Sequence, residues 1–384
     1  MKILQIVNYY YPHIGGIEQV ARDIVFSLKY DNNIEQKIIC FNEDAKDDNY
    51  INNREETITE NVDGIEIIRC GCFTKISSQS LSFSYYSRLK KILHDFNPDI
   101  IIFHYPNPFA ASFLLKLINK NTKFIIYWHL DIVKQKILGK LFNKQNIDLL
   151  KRADKIVATS PNYIEGSKFL SKYKNKCIVI PNCVTNNYYD LTKRIIEKSK
   201  EIRKKYEGKC ICFTIGRHIP YKGFEYLIES SKYLDDKYVI LIGGKGPLTE
   251  KLKVMSKETN NVELLGFISN EDLKAYYLAC DIITFSSITK NEAFGISLAE
   301  GMGFGKPAIT YTIPGSGVNY VNLDGITGIE CDNRNVKQYA ESIEKLFTNK
   351  ELMLKYGEAA RERILNNFTF EIFKNNILQT INNL

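Results

Sequence analysis

No apolar run in this chain approaches the ~20 residues that a membrane-spanning helix needs, which leaves no such helix to expect. The opening Met1-Lys-Ile-Leu-Gln-Ile-Val7 is too short for a secretory leader and runs straight into Asn8 and tyrosines, so it reads as a first buried strand. Nine cysteines are present, but no C-x-x-C pair occurs among them, which excludes a zinc ribbon or finger. Cys70/Cys72 and Cys210/Cys212 are C-x-C pairs, each placing two thiols on one strand face. The nine have no disulfide-framework spacing and read as reduced small hydrophobes in a cytosolic protein. No G-x-G-x-x-G fingerprint is found, so a dinucleotide cofactor gains little support. An aromatic-basic RNA motif and a helix-turn-helix pattern are also missing, and no nucleic-acid partner is expected.

What is present describes a large globular protein. At 384 residues the chain exceeds what one hydrophobic core supports, so two domains are expected, and 44% hydrophobic content can fill both cores. The net charge of +8 is uneven. Residues 112–182 carry 14 Lys+Arg against 4 Asp+Glu, a local balance of +10. Residues 43–66 carry 9 acidic and 2 basic side chains, a balance of −7, in a polar, Asn-rich surface excursion. The basic stretch suits anionic lipid headgroups or a phosphorylated acceptor, and equally an ordinary solvated surface.

Apolar runs of strand length alternate with longer periodic segments. Residues 3–7, 37–41, 100–103, 124–128, 155–158 and 177–180 form one set; 210–215, 238–243, 262–265, 281–285 and 307–311 form a second. Ile- and Val-rich strands separated by helices predict doubly wound parallel sheets covered on both faces, an α/β fold of two Rossmann-like domains. The expected boundaries are 1–182 for the first domain, 183–208 for a lysine-rich hinge, and 209–368 for the second domain. Residues 369–384 should form a helix packing back on the first, because Phe370, Ile372, Phe373, Ile377, Leu378 and Ile381 recur at helical spacing.

The most informative motif is Glu292-Ala-Phe-Gly-Ile-Ser-Leu-Ala-Glu300. The first glutamate lies in a loop after a buried strand and the second on the helix that follows, about 12 Å along the chain at helical rise. That crevice is where open α/β sheets bind ligands, and a helix start favours phosphate. Carboxylates do not bind phosphate but accept hydrogen bonds from sugar hydroxyls. A nucleotide diphosphate-sugar, with hydroxyls at both ends and charge in the middle, satisfies the pattern; so does an amphipathic helix with two solvated glutamates. Gly15 and Gly16 in Pro12-His13-Ile14-Gly15-Gly16-Ile17-Glu18 follow the first strand and permit positive φ and close ligand approach. Arg217 and Lys222 in the loop after residue 215 are fixed cations suited to a diphosphate leaving group. Lys245, among turn-forming glycines, is a weaker candidate. His129, at a strand end, can donate to a sugar hydroxyl or phosphate or be structural. Asp131 can serve an acceptor hydroxyl or cap the next helix.

Together these pieces resemble the family 4 retaining glycosyltransferases of the GT-B fold, over nearly the whole chain and in the family's order. Those pieces are Gly15-Gly16, His129, the Arg217-to-Lys222 loop, Leu265-Gly266-Phe267, then Glu292 and Glu300. The resemblance implies two Rossmann-like domains facing a central cleft, 1–182 on the acceptor side and 209–368 holding the nucleotide-sugar, closing over the donor to exclude water. It implies that Glu292 contacts donor-sugar hydroxyls, Glu300 the ribose, and Arg217 and Lys222 the diphosphate. The backbone N–H groups of Phe294, Gly295, Ile296 and Gly16 would assist, with His129 beside the sugar and Phe267 and Ile268 beside the base. Two departures stand out: Ser286-Ser287 where the family often has Pro-Ser, and Pro181-Asn182-Cys183-Val184-Thr185 where it often has Pro-Asn-Gly-Val-Asp. The segment from His129 through Val133, Lys134 and Lys136 is similar to bacterial mannosyl- and rhamnosyltransferases that build O-antigen or capsule, which ranks a mannosyl donor first.

The implied reaction transfers a sugar from a GDP- or UDP-linked donor to a hydroxyl of a lipid-linked or oligosaccharide acceptor, on the cytoplasmic side of the membrane. No D-x-D motif occurs, so neither metal nor other cofactor is expected. The rivals are a nucleotide-sugar 2-epimerase of the same architecture, a non-catalytic sugar-nucleotide-binding subunit and, further off, a nicotinamide dehydrogenase.

Overall fold

The computed structural model describes every residue of the chain except 14, 44–53, 77–78, 133–137 and 186, and the side chains of 138–141. Ile14 of the glycine loop, residues 44–53 of the acidic excursion and the Val133–Lys136 part of the mannosyltransferase-like segment lie outside the described residues. The chain divides into two compact units. One comprises Met1–Thr159, Ser167–Pro181 and Phe373–Leu384; the other comprises Ser160–Gly166 and Asn182–Ile372.

The first unit is built on an eight-stranded sheet. Its spatial order is Cys177–Val179, Lys155–Ala158, Lys123–Trp128, Ile100–Tyr105, Lys2–Ile6, Glu35–Phe41, Ile65–Cys70, Ile58–Val62. Every pairing is parallel except that of Ile58–Val62 with Ile65–Cys70. Ile100–Tyr105 is buried at all six positions, as a strand covered on both faces requires, and its run is apolar but for His104. The strand order reverses between Lys2–Ile6 and Ile100–Tyr105, the switch point of a doubly wound sheet. From the helix Phe370–Asn382, Ile377, Thr380 and Ile381 line an apolar crevice with Ile24, Ile102, Ile125, Tyr127 and Val157.

Two strands of this sheet escape the apolar-run criterion. Ile58–Val62 is an edge strand whose burial alternates, and it falls inside the stretch read as a surface excursion. Ile65–Cys70 carries Glu66 and Arg69 within its run. Arg69 is fully buried yet satisfied: its Nε lies 2.5 Å from Glu60 Oε1, and its guanidinium also donates to the carbonyls of Tyr10 and Tyr11. A small antiparallel hairpin, Thr74–Ile76 with Gln79–Leu81, was also not expected.

The second unit holds a six-stranded parallel sheet in the order Val262–Gly266, Tyr238–Gly243, Cys210–Ile215, Ile282–Phe285, Ala308–Tyr311, Gly328–Cys331. Numbered along the chain this is the 3-2-1-4-5-6 winding of a dinucleotide-type fold, with its switch point between Cys210–Ile215 and Ile282–Phe285. Residues 183–208 belong to this unit; their helix Lys193–Lys205 lies against Asn270–Ala279 and ties down with Arg203 on Asp281 at 2.8 Å. All nine cysteines are free. Among the described residues no helix is long and apolar enough to cross a membrane.

Candidate active site

In the second unit, two loops leave the carboxyl ends of the two strands that flank the switch point. The loop after Cys210–Ile215 carries Arg217 and Lys222; the loop after Ile282–Phe285 carries Glu292 and ends at the helix Ile296–Gly303. They are drawn together by a close backbone approach. Gly223 has φ +65, and a Cβ there would stand 2.2 Å from the carbonyl oxygen of Ser286, so only glycine fits. Lys222 Nζ lies 2.5 Å from Glu292 Oε2, with both side chains mostly buried. The same ammonium sits 5.1 Å from the centre of the Phe285 ring.

Two serines lock this pair in place. Ser287 Oγ donates to Glu292 Oε2 at 3.0 Å, and Ser286 Oγ donates to the carbonyl of Lys222 at 2.9 Å. A proline at 286, the residue common in the family, has no hydroxyl for the second bond, so the departure seen in the sequence is structurally employed. Ser316 Oγ holds the Glu292 carbonyl at 2.5 Å. The helix Ile296–Gly303 begins at Gly295 with φ +91, and the amides of Phe294, Gly295 and Ile296 donate to no protein acceptor among the described residues. Phe294's ring is buried against Phe368, so only its backbone reaches the site. Arg217 is exposed and has no ion pair among the described residues. An ammonium, a guanidinium and a set of free amides at a helix start make a site for an anion, with a carboxylate beside it for hydroxyls.

Glu300 lies one helical stretch away, in a tyrosine-lined niche. Tyr277 Oη donates to its Oε2 at 3.1 Å, and Tyr188 and Lys274 face it. Burial pushes its carboxyl up to about 7, against the lowering effect of those tyrosines. Phe267 is 69% exposed directly after Val262–Gly266, whereas Ile268 is buried beneath it.

The first unit gathers a second group of expected residues at the carboxyl edge of its own sheet. Gly15 and Gly16 are there, but not for the reason the sequence suggested: Gly15 is extended at φ −158, and neither has positive φ. Gly15 instead leaves room for a carboxylate, since a Cβ would stand 2.2 Å from Glu18 Oε2. Gly16 faces open space, with nothing within 4 Å of an added Cβ. Glu18 is buried, 3.8 Å from His13 Nε2, and burial pushes its carboxyl up to about 7.

His129 follows Lys123–Trp128 and is buried; burial and the adjacent His104 hold its imidazole well below the usual range. Its Nε2 is 3.0 Å from His104 Nδ1. Asp131 serves a structural role through Oδ1, which accepts from Trp128 Nε1 at 3.0 Å and from Ser167 Oγ at 2.8 Å. Sequence reasoning passed over Gln5, Glu18, His104, Ser286 and Ser287 as site residues. The signal for His104 was available: a histidine inside a six-residue apolar strand at the switch point.

Residues 14–187 match the family described as Glycosyltransferase Family 4, and residues 195–363 match Glycosyl transferases group 1. The chain is 29% identical over 372 residues to O-antigen chain mannosyltransferase C of Escherichia coli, covering 96% of this chain and 95% of that one. It is 29% identical over 297 residues to D-rhamnosyltransferase WbpZ of Pseudomonas aeruginosa, covering 77% and 76%. Its fold matches that of HepE from Anabaena, solved in complex with UDP and glucose, at a TM-score of 0.78 and 16% identity over the full length of both chains.

Proposed function

Because this chain belongs to the family 4 glycosyltransferases of the GT-B fold, we propose that it moves mannose, with retention, from a nucleotide diphosphate-sugar to a lipid-linked saccharide during cell-surface polysaccharide synthesis. The observation that carries this reading is the Lys222–Glu292 pair at the switch point of the second sheet. In a nucleotide diphosphate-sugar the outer phosphate and the first sugar hydroxyls are neighbours. An ammonium and a carboxylate side by side match that junction, the first on phosphate oxygen and the second on hydroxyl hydrogens.

Departure of the nucleoside diphosphate builds negative charge on the bridging oxygen. Lys222, Arg217 and the amides of Phe294, Gly295 and Ile296 are fixed donors for that charge, and donors that need no rearrangement are the effective ones. With so much positive character from the protein and no D-x-D motif to hold a metal, transfer proceeds without a divalent cation. Full activity in EDTA is the expected result; a strict need for Mg²⁺ or Mn²⁺ would contradict it.

Mannose ranks before rhamnose because the mannosyl relative aligns over nearly the whole chain and the rhamnosyl relative over about three quarters. The excess of Lys and Arg in residues 112–182 supports work at an anionic membrane surface from the cytoplasmic side. Salt-sensitive binding to anionic liposomes is expected, and no binding at low salt would remove that part. The donor is tested by thermal shift with GDP-, UDP-, dTDP- and ADP-sugars, since a ligand selective for the native state raises its melting temperature. GDP-mannose should give the largest shift and then support transfer. Conversion of the donor to an epimer without acceptor would replace this reading with an epimerase.

A further inference from the structure

We infer that Gln5 and His104 are positioning residues that hold His129 in a single tautomer, so that His129 offers its ligand a hydrogen-bond acceptor at Nδ1. The inference rests on the proposed transfer reaction only for the identity of that ligand, a sugar hydroxyl.

A backbone carbonyl can only accept, and one sets the orientation of Gln5. Gln5 is buried on Lys2–Ile6, and its amide nitrogen lies 3.3 Å from the carbonyl oxygen of Ala21. That contact fixes which way the amide faces: nitrogen toward Ala21, oxygen toward His104. Gln5 Oε1 lies 2.9 Å from His104 Nε2. An amide oxygen has no hydrogen to give, so His104 Nε2 must carry one. His104 is 1% exposed, and burial pulls its imidazole down to about 3, so the ring is neutral. A neutral ring protonated at Nε2 has a bare Nδ1. That nitrogen stands 3.0 Å from His129 Nε2, which must therefore donate.

His129 is then also a neutral Nε2–H ring, and its Nδ1 is bare. No protein group among the described residues bonds to Nδ1. Ring packing keeps it aimed. Tyr127, His104 and His129 lie with their planes within 18° of one another. The three polar side chains span Lys2–Ile6, Ile100–Tyr105 and the residue after Lys123–Trp128, crossing the switch point of the first sheet.

The chemical consequence is a one-way site. A phosphate, carboxylate or carbonyl oxygen has no hydrogen for a bare Nδ1, so the ligand atom there must bring one, as a sugar hydroxyl does. On this reading His129 accepts from a sugar hydroxyl, where the sequence alone left it a donor to a sugar hydroxyl or phosphate. A site built to take a hydroxyl's hydrogen also rejects an analogue lacking that hydroxyl, because the buried acceptor is left unmatched.

The test uses the full chain labelled with ¹⁵N-histidine and long-range ¹H–¹⁵N correlation at pH 7. His104 and His129 should both show a protonated Nε2 and the downfield signal of a bare Nδ1. A protonated Nδ1 on His129, or an imidazolium titrating near neutral pH, overturns the inference. His104→Phe keeps the ring packing and removes the acceptor. It should bring a second His129 tautomer into the spectrum and raise the KM for GDP-mannose about tenfold with a smaller change in kcat. An unchanged His129 spectrum in that variant also overturns the inference. Absence of turnover with GDP-mannose in the wild-type chain counts against the transfer reading alone, because the tautomers are read without substrate.

Discussion

Lys222 and Glu292 are each other's nearest charge, and neither can be removed without stranding the other. Lys222→Met leaves Glu292 with Ser287 as its remaining side-chain partner; Glu292→Gln leaves the ammonium without its counter-charge. Each should lower kcat/KM by at least 100-fold, about 3 kcal/mol, while circular dichroism stays that of the wild type. Ser287→Ala removes only one bond to the same oxygen and should cost about tenfold. Wild-type kinetics in Ser287→Ala would show that the hydroxyl does not position Glu292. Glu300 gives a prediction with a sign. Its folded carboxyl is raised to about 7, against 4.5 as the ordinary value. The native state therefore keeps a proton that the unfolded chain has lost, and the associated stability, present below about pH 4.5, is lost as pH rises through 7. Glutamine is neutral throughout, so Glu300→Gln should gain on the wild type between pH 5 and pH 8 by on the order of 2 kcal/mol, a few degrees in melting temperature. A difference that does not change with pH would show the carboxyl is not raised. Charged residues in loops after strands were legible from spacing; their serine partners were not, because a hydroxyl's bond depends on how two distant loops meet.

At the scale of elements, the site depends on strands that deliver loops to one edge and on two glycines that shape those loops. Cys210–Ile215 and Tyr238–Gly243 were readable to the residue because a strand buried on both faces must be an unbroken apolar run. Ile58–Val62 and Gly328–Cys331 were missed because edge strands tolerate polar residues and glycine. Ile65–Cys70 was missed for a different reason: a buried arginine breaks the pattern, and its partners come from elsewhere in the chain. Gly223→Ala places a methyl 2.2 Å from the Ser286 carbonyl at positive φ. It should lower stability by about 1–3 kcal/mol and shift Lys222, so that both melting temperature and affinity for GDP-mannose fall together. Unchanged affinity in a folded Gly223→Ala chain would separate the turn from the clamp.

For the molecule as a whole, the two sheets share one winding rule, and each places candidate residues at or near a switch point. The repeating order of buried strands made this architecture legible without coordinates. The partition of charge did not translate as directly, since the acidic stretch contributes Glu60 and Asp63 to ion pairs with Arg69 and Arg22. The proposed role of the lysine–glutamate pair at the second switch point is to drive sugar transfer from a nucleotide diphosphate-sugar. Its most direct test is the initial rate of mannose transfer from GDP-mannose to a polyprenyl-diphosphate-linked saccharide, in EDTA, by wild-type chain and by Glu292→Gln. Steady transfer by the wild type and at least a 100-fold loss in the variant are expected; equal rates in the two would contradict the proposed role.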